Sequence, residues 1–345
     1  MFTFRLRRYA TALAAALTLS LGLAACSSPG SSGGGGGETP TIRVAYAQGL
    51  QANFYYALQH DLFAKHGVKV EGTKFDSGPA LISALVGGSA DVGYFGVPAM
   101  ATANEQGAQL QVFSIANNAG DMAALYVKPD SDIHSIQDLR GKKVATTQNT
   151  VAHIFLLIAL EKAGMTPSDV QIEFYDPAGL VAGFDRGDLS AVFMFASVGA
   201  KFISSGAQIV KGTTSTDLGV PDTGNFIASK DYINSNKAAL QKFMAAVDEA
   251  TPIVNQDKAT YIDALQKGIG LAGDQAQIIY DNQPSPCLVS STLADPGSPV
   301  SLAPGAGFTK ITQKMIETMT KLGILKSAPN VADFVTSSVV EGMGK

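Results

Sequence analysis

Thr41-Ile42-Arg43-Val44-Ala45-Tyr46-Ala47 sets apolar side chains at alternate positions, the period of a strand with a buried face. Residues 53–66 follow with Phe54, Ala57, Leu58 and Phe63 at helical spacing, and Gly67 stops the helix. Val68 to Phe75 is again extended. Ser77-Gly78-Pro79 then opens a helix with proline in its first turn and Leu81, Ile82, Leu85 and Val86 on its inner face. Asp91 to Phe95 is a short strand, Pro98 to Glu105 a helix ending near Gly107, and Leu110 to Ala116 another strand. Strands and helices that alternate in this way build a mostly parallel sheet covered on both faces.

A second block repeats the pattern. Ala124 to Lys128, Lys143 to Thr146, Gln171 to Tyr175 and Ala191 to Phe195 are extended. Between them lie a helical turn at Ile136–Gly141, an apolar helix from Asn149 to Gly164, and a helix at Leu180–Phe184. Phe226 to Ser229 is one more extended piece. The rest is helical apart from a Pro/Gly/Ser-rich stretch at residues 284–307. The two blocks share an architecture without sharing a sequence, and no repeat of fixed period is present.

Upstream, Arg5, Arg7 and Arg8 precede an uncharged Ala/Leu-rich run from Tyr9 to Ala25, the form of a secretory leader. The run is shorter than the roughly 20 apolar residues of a spanning helix. An uncleaved signal anchor is the alternative. Leu23-Ala24-Ala25-Cys26 resembles a bacterial lipobox, in which cleavage leaves the cysteine lipidated, by palmitate among other acyl chains. Residues 27–37 are Ser, Pro and Gly alone, a flexible coil with a reach of roughly 18 Å. The expected division is therefore a signal peptide over 1–25 and a lipidated Cys26 with its tether over 26–40. A first lobe begins at 41–125, a second lobe covers 126–224, and residues 225–345 return to the first lobe and supply the C-terminal helices.

Without the leader's three arginines, 22 of the 25 basic residues remain against 29 acidic ones, a net charge of about −7. That excludes a basic nucleic-acid footprint. Besides Cys26 the chain holds only Cys287, in Pro284-Ser285-Pro286-Cys287, and this reads as an incidental loop thiol.

Five ordered motifs carry a resemblance. They are Phe63-Ala64-Lys65-His66-Gly67-Val68-Lys69-Val70-Glu71; Leu85-Val86-Gly87-Gly88-Ser89-Ala90-Asp91-Val92-Gly93; Asp138-Leu139-Arg140-Gly141-Lys142-Lys143-Val144-Ala145; Leu160-Glu161-Lys162-Ala163-Gly164-Met165; and Asp185-Arg186-Gly187-Asp188-Leu189-Ser190-Ala191. Over roughly residues 41–250 the chain resembles the nitrate/sulfonate/taurine branch of ABC-transporter substrate-binding proteins. The resemblance implies an α/β, two-lobed periplasmic-binding-protein fold of type II, with the ligand in the interlobe cleft. It also implies a monomeric extracytoplasmic carrier that needs no cofactor and hands its solute to an ABC permease and its ATPase. Many relatives follow the last motif with Trp and Pro. Here the chain reads Val192-Phe193-Met194-Phe195-Ala196-Ser197, so part of the site wall differs.

Ligands of open α/β sheets sit beyond the carboxyl ends of strands, where helix N-termini present N–H donors to anions. The candidate contacts are Gln51, Asn53 and Tyr55 after the first strand and Ser77 and Gly78 after the second. Gly96 and Val97 follow the third. Asn149, Thr150, Val151 and His153 open the apolar helix, and Phe195 ends its strand. Several have a plainer reading: Ser77 and Asn149 as helix caps, Gly96-Val97-Pro98 as a turn, His153 as a packing residue, and one of Phe54, Tyr55 and Tyr56 as core. The mature chain has three arginines, Arg43, Arg140 and Arg186, none placed for the bidentate fork that carboxylates favour. A solute that is neutral or carries one compact anionic group, such as a sulfonate, fits best. The four histidines are dispersed, and neither a cysteine cluster nor a Gly-x-Ser-x-Gly elbow is present, which argues against an enzyme. Alternatives are a binding protein for a neutral or aromatic heterocycle, such as a thiamine pyrimidine precursor, and a tethered sensor.

Overall fold

The computed structural model describes residues 38–47, 49–75, 78–118, 123–219, 223–282 and 286–343. Cys26, the leader and residues 27–37 of the tether lie outside the described residues, as does Ser77.

Ten strands are present among the described residues. They are β1 (Thr41–Tyr46), β2 (Lys69–Lys74), β3 (Val92–Phe95), β4 (Leu110–Asn118), β5 (Ala123–Val127), β6 (Lys143–Thr146), β7 (Gln171–Phe174), β8 (Ala191–Phe195), β9 (Gln208–Ile209) and β10 (Thr223–Ser229). The α-helices of the first half are α1 (Ala52–Gln59), α2 (Leu62–Lys65), α3 (Gly78–Val86), α4 (Val97–Glu105), α5 (Val151–Lys162), α6 (Pro177–Arg186) and α7 (Ala196–Ser204). Those of the second half are α8 (Ser215–Leu218), α9 (Lys230–Ser235), α10 (Lys237–Gln256), α11 (Lys258–Ile269), α12 (Gln275–Asn282), α13 (Ser290–Ala294) and α14 (Gly307–Lys321).

The strands form two five-stranded sheets, ordered β2-β1-β3-β10-β4 and β7-β6-β8-β5-β9. In each sheet the first three strands are parallel and the fourth in order runs against its neighbours. The sheets, expected to be mostly parallel, are therefore mixed, with two parallel and two antiparallel pairings in each. The cause is connectivity. The chain passes between sheets twice, from Asn118 to Ala123 and from Ile209 to Thr223. On each arrival it enters from the other lobe and runs antiparallel: β5 between β8 and β9, β10 between β3 and β4.

The expected helix over 53–66 is two helices. Asp61 takes a left-handed conformation (φ 55°) between α1 and α2, which a short polar side chain tolerates. The turn lets Phe63 stack on Phe243 of α10, with ring centroids 5.0 Å apart. Phe54 lies 5.9 Å from Phe226 and 6.1 Å from Phe243, so an aromatic cluster joins α1, β10 and α10. Each fully buried Phe contributes about 1.5–3 kcal/mol. In α3, Leu81, Ala84 and Leu85 form the buried stripe, and Val86 lies off it, 59 % exposed, against the inner position expected for it.

The C-terminal third covers the free edge of β4. The Val112 amide donates to the Phe334 carbonyl and the Thr336 amide to the Val112 carbonyl. Further along, Asn118 donates to Pro286 and Leu288 to Ala116. An unpaired edge strand invites association, and these segments occupy it. Cys287 lies within this cover. It is a loop thiol as expected, but a buried one, and burial pushes its pKa up to about 12. The Asn255 side chain brackets its backbone, accepting from the Cys287 amide and donating to its carbonyl.

Close packing fixes α11 against α1. A Cβ on Gly268 would lie 2.3 Å from Cγ of the fully buried Tyr55. Alanine in a helix is ordinarily the better residue by about 1 kcal/mol. Gly268→Ala is nonetheless expected to destabilise by about 1–3 kcal/mol through overpacking, and urea unfolding reads the sign.

Candidate functional site

The carboxyl ends of the strands bring the two lobes together. Gly96 caps α4 at the end of β3, and Thr150 caps α5 after β6. A Cβ on Gly96 would sit 2.4 Å from Cγ2 of Val151, so the two helix starts touch across the lobe boundary. Gly96 has φ −86°, a conformation open to any residue, so glycine is required there for room alone. Val97 and Met100 share one continuous apolar core with Val151, Phe155 and Phe193. The lobes are closed on one another.

The start of α5 is built by its own side chains. Asn149 takes the left-handed conformation (φ 57°) and lies just outside the helix. The cap is Thr150: its Oγ1 donates to the Thr147 carbonyl at 2.7 Å and accepts from the His153 amide. The Asn149 amide donates to Nδ1 of His153, which therefore carries its proton on Nε2. The imidazole is 7 % exposed and edge-on to Phe174, with centroids 5.0 Å apart. Burial pushes its pKa down to about 4. His153 is thus a neutral group that fixes the Thr147–Thr150 loop.

The start of α1 divides the expected contacts. Gln51 is fully buried, and neither atom of its carboxamide makes a hydrogen bond. It lies close enough to the Tyr55 phenol to oppose, weakly, the strong upward shift that burial imposes on it. Asn53 is placed inside the lobe, where its Nδ2 donates to the Ala116 carbonyl and to Oγ1 of Thr251. Tyr55 is also in the core, and its hydroxyl lies 3.4 Å from the Ala47 carbonyl and 3.3 Å from that of Gly49. Both residues support the loop after β1 from below. Gly78 is the first residue of α3, with open space at its Cβ position. Phe195, half-buried, ends β8 and packs against the shared core. The structure therefore brings Gly96, Val97, Thr150 and Val151 together and sets Asn53 and Tyr55 apart from them.

Other residues join the strand ends. Thr146, the last residue of β6, is fully buried with its hydroxyl unpartnered. The Tyr94 hydroxyl donates to Oδ1 of Asn117 at 2.7 Å above Gly224, where any Cβ would collide with that hydroxyl at 1.7 Å. Half-buried Phe75 and Phe95 end β2 and β3, while Phe174 (43 % exposed) and Tyr175 end β7. Their signal in the sequence is position, as the last apolar residue of each strand.

All three arginines are engaged elsewhere. Arg43 makes a two-pronged contact with Asp91 at 2.5 and 3.0 Å, Arg140 pairs with Asp169, and Arg186 pairs with Asp188 at 2.8 Å. Residues 49–51, 96–97, 147–151 and 195–197 contain no charged side chain. Among the described residues no group of three His, Cys, Asp or Glu is placed to hold a metal, and no helix is long and apolar enough to cross a membrane.

A model of the NMT1/THI5 like family matches residues 50–258. The chain belongs to that family. It is 30 % identical to the taurine-binding periplasmic protein of Escherichia coli over 56 % of this chain and 61 % of that one, so the match spans about three-fifths of that relative. It is 29 % identical to a putative aliphatic sulfonates-binding protein of Escherichia coli, over 70 % of this chain and 76 % of that one. Its fold is that of the periplasmic aliphatic sulphonate binding protein SsuA from Escherichia coli, with TM-score 0.72 and 23 % identity over 86 % of this chain and 92 % of that one. These are binding proteins rather than enzymes, and the two-lobed α/β fold expected from the sequence is the fold of this NMT1/THI5 like chain.

The neutral His153 gives stability a pH signature. An unfolded histidine titrates near 6.5, so below that pH the unfolded chain gains a proton that the folded one refuses down to about 4. Stability is full above about pH 6.5 and falls as the pH drops toward 4, by about 2–3 kcal/mol in all. His153→Gln is expected to flatten that slope, measured as urea midpoints between pH 4.5 and 7.

Proposed function

We propose that this chain is an extracytoplasmic solute-binding lipoprotein of an ABC importer. It captures a small sulfonate-like solute by lobe closure and delivers it to a membrane permease. One observation carries the reading: helix starts from opposite lobes, α4 and α5, meet at Gly96 and Val151 with no charged side chain on their loops. Each N-terminus carries roughly half a positive charge, so a compact anion held there gains from both lobes only when they close. The family membership and the names of its relatives support the same class of solute. Strand-end aromatics Phe75, Phe95, Phe174 and Phe195 suit an organic tail. Gln51 and the backbone of Gly96, Val97 and Val151 supply neutral donors, and Gly78, at the start of α3, and Ser77 before it in the sequence are further candidates. Leu23-Ala24-Ala25-Cys26 supports a lipid anchor, and the glycine tether keeps the carrier within reach of one membrane partner. The carrier works as a monomer.

The test is thermal unfolding of the purified protein with a panel of sulfonates, nitrate, carboxylates and heterocycles. A true ligand at a hundred times its Kd stabilises by about 2.7 kcal/mol. A shift with sulfonates is expected. A shift with carboxylates or heterocycles alone would sink the reading. Gly96→Val is expected to hold the lobes apart: the radius of gyration rises, and the Kd of the responding ligand rises roughly tenfold or more, because fewer molecules occupy the competent state. For the anchor, Cys26→Ala should release the protein from the membrane fraction.

A further inference from the structure

We infer that Thr312, on the C-terminal helix α14, is a specificity-determining contact for the compact polar head of the ligand, completing a subsite that α4 and α5 begin. The inference rests on the solute-binding reading for the identity of the ligand, and on the cavity itself for its place.

A cavity of about 10 Å³, room for a single oxygen of a ligand's head, lies where the lobes meet. Val97 and Val151, the first residues of α4 and α5, line it from opposite lobes. Thr223 and Asn225 line it from β10, and α14 closes it with Phe308, Thr312 and Met315. None of these is charged. The two helices are nine and twelve residues long, so each presents its dipole to the space between them; Pro98 removes one N–H from the first turn of α4, and Thr150 already takes the His153 N–H of α5. The polar groups of β10 are already engaged: Oγ1 of Thr223 donates to Oδ1 of Asn225, whose Nδ2 donates to the carbonyls of Phe95 and Thr223. Thr312 differs. It is fully buried and its hydroxyl has no partner. A buried polar atom left unpaired costs stability, so such atoms mark a missing partner. Here that partner sits between two helix N-termini with no anionic side chain near it, which selects an anionic oxygen able to accept from a hydroxyl.

α14 is well placed for the role. Glu105 of α4 accepts from the Lys326 amide at 2.6 Å, which ties the end of α14 to the first lobe. Lys321 pairs with Glu161 of α5 in the second. The subsite is therefore whole only when both lobes touch α14.

The test is Thr312→Val in the full chain, with methanesulfonate and bromide as probes. Valine keeps the shape and removes only the unpaired hydroxyl. Without ligand, the midpoint of thermal unfolding should stay level or rise. The Kd for methanesulfonate should rise roughly tenfold to a hundredfold, the effect of losing a hydrogen bond to a charged group, and Thr312→Ser should restore it. An unchanged Kd in Thr312→Val would overturn the subsite and leave the carrier function standing. A fall in the ligand-free midpoint with unchanged Kd would overturn it too, because the hydroxyl would then serve a structural water. If the wild type answers to no sulfonate, the sulfonate reading falls, and bromide decides the subsite alone. Anomalous density beside Thr312 that disappears in Thr312→Val supports it; absent or persisting density overturns it.

Discussion

The missing side chain at Gly96 is the constraint on which the arrangement of the lobes depends. Without a Cβ there, the start of α4 reaches van der Waals contact with Val151 at the start of α5. Each helix follows the carboxyl end of a strand, β3 in one sheet and β6 in the other, so the contact joins the two lobes at those strand ends. Thr150, Asn149 and His153 shape the α5 loop through their mutual hydrogen bonds, and Asn53 and Tyr55 shape the facing loop from inside the first lobe.

The second constraint is topological. Two crossings link the lobes, and each arriving strand runs antiparallel in fourth place. Tyr94, Asn117 and Gly224 pack tightly beside the strand ends that lead into and out of both crossings. The C-terminal arm adds a third connection of a different kind. It seals the edge of β4 through Pro286–Leu288 and Phe334–Thr336 and then lays α14 across both lobes.

Much of this was legible. Lys143–Thr146 and Ala191–Phe195 appear as strands with the expected bounds, because charged or polar residues flank short apolar runs. The order of sheets and helices in the first block also followed from periodicity. Strand direction did not, since it depends on which lobe the chain arrives from and not on local sequence. The break at Asp61 was hidden because α2 keeps the helical spacing of α1. Asn53 and Tyr55 were assigned to the cleft on their position after β1, yet helical geometry turns both side chains inward, where Thr251 and Gly268 receive them. Thr146 and Thr312 are ordinary in sequence. Only burial without a partner distinguishes them.

The electrostatic design follows from where the cations are. A buried arginine in the cleft would bind an anion in the open and the closed form alike, and such a contact holds the solute without favouring closure. Here Arg43, Arg140 and Arg186 pair with aspartates, and under the proposed function the cleft relies on helix dipoles and neutral donors from both lobes. Those groups act over short range, within the first turn of each helix. On that proposal their attraction for one ligand is complete only when α4, α5 and α14 converge. Differential affinity between two states is the only means by which a ligand shifts them. A site made of weak donors from opposite lobes therefore turns binding into closure more fully than a single strong charge on one lobe.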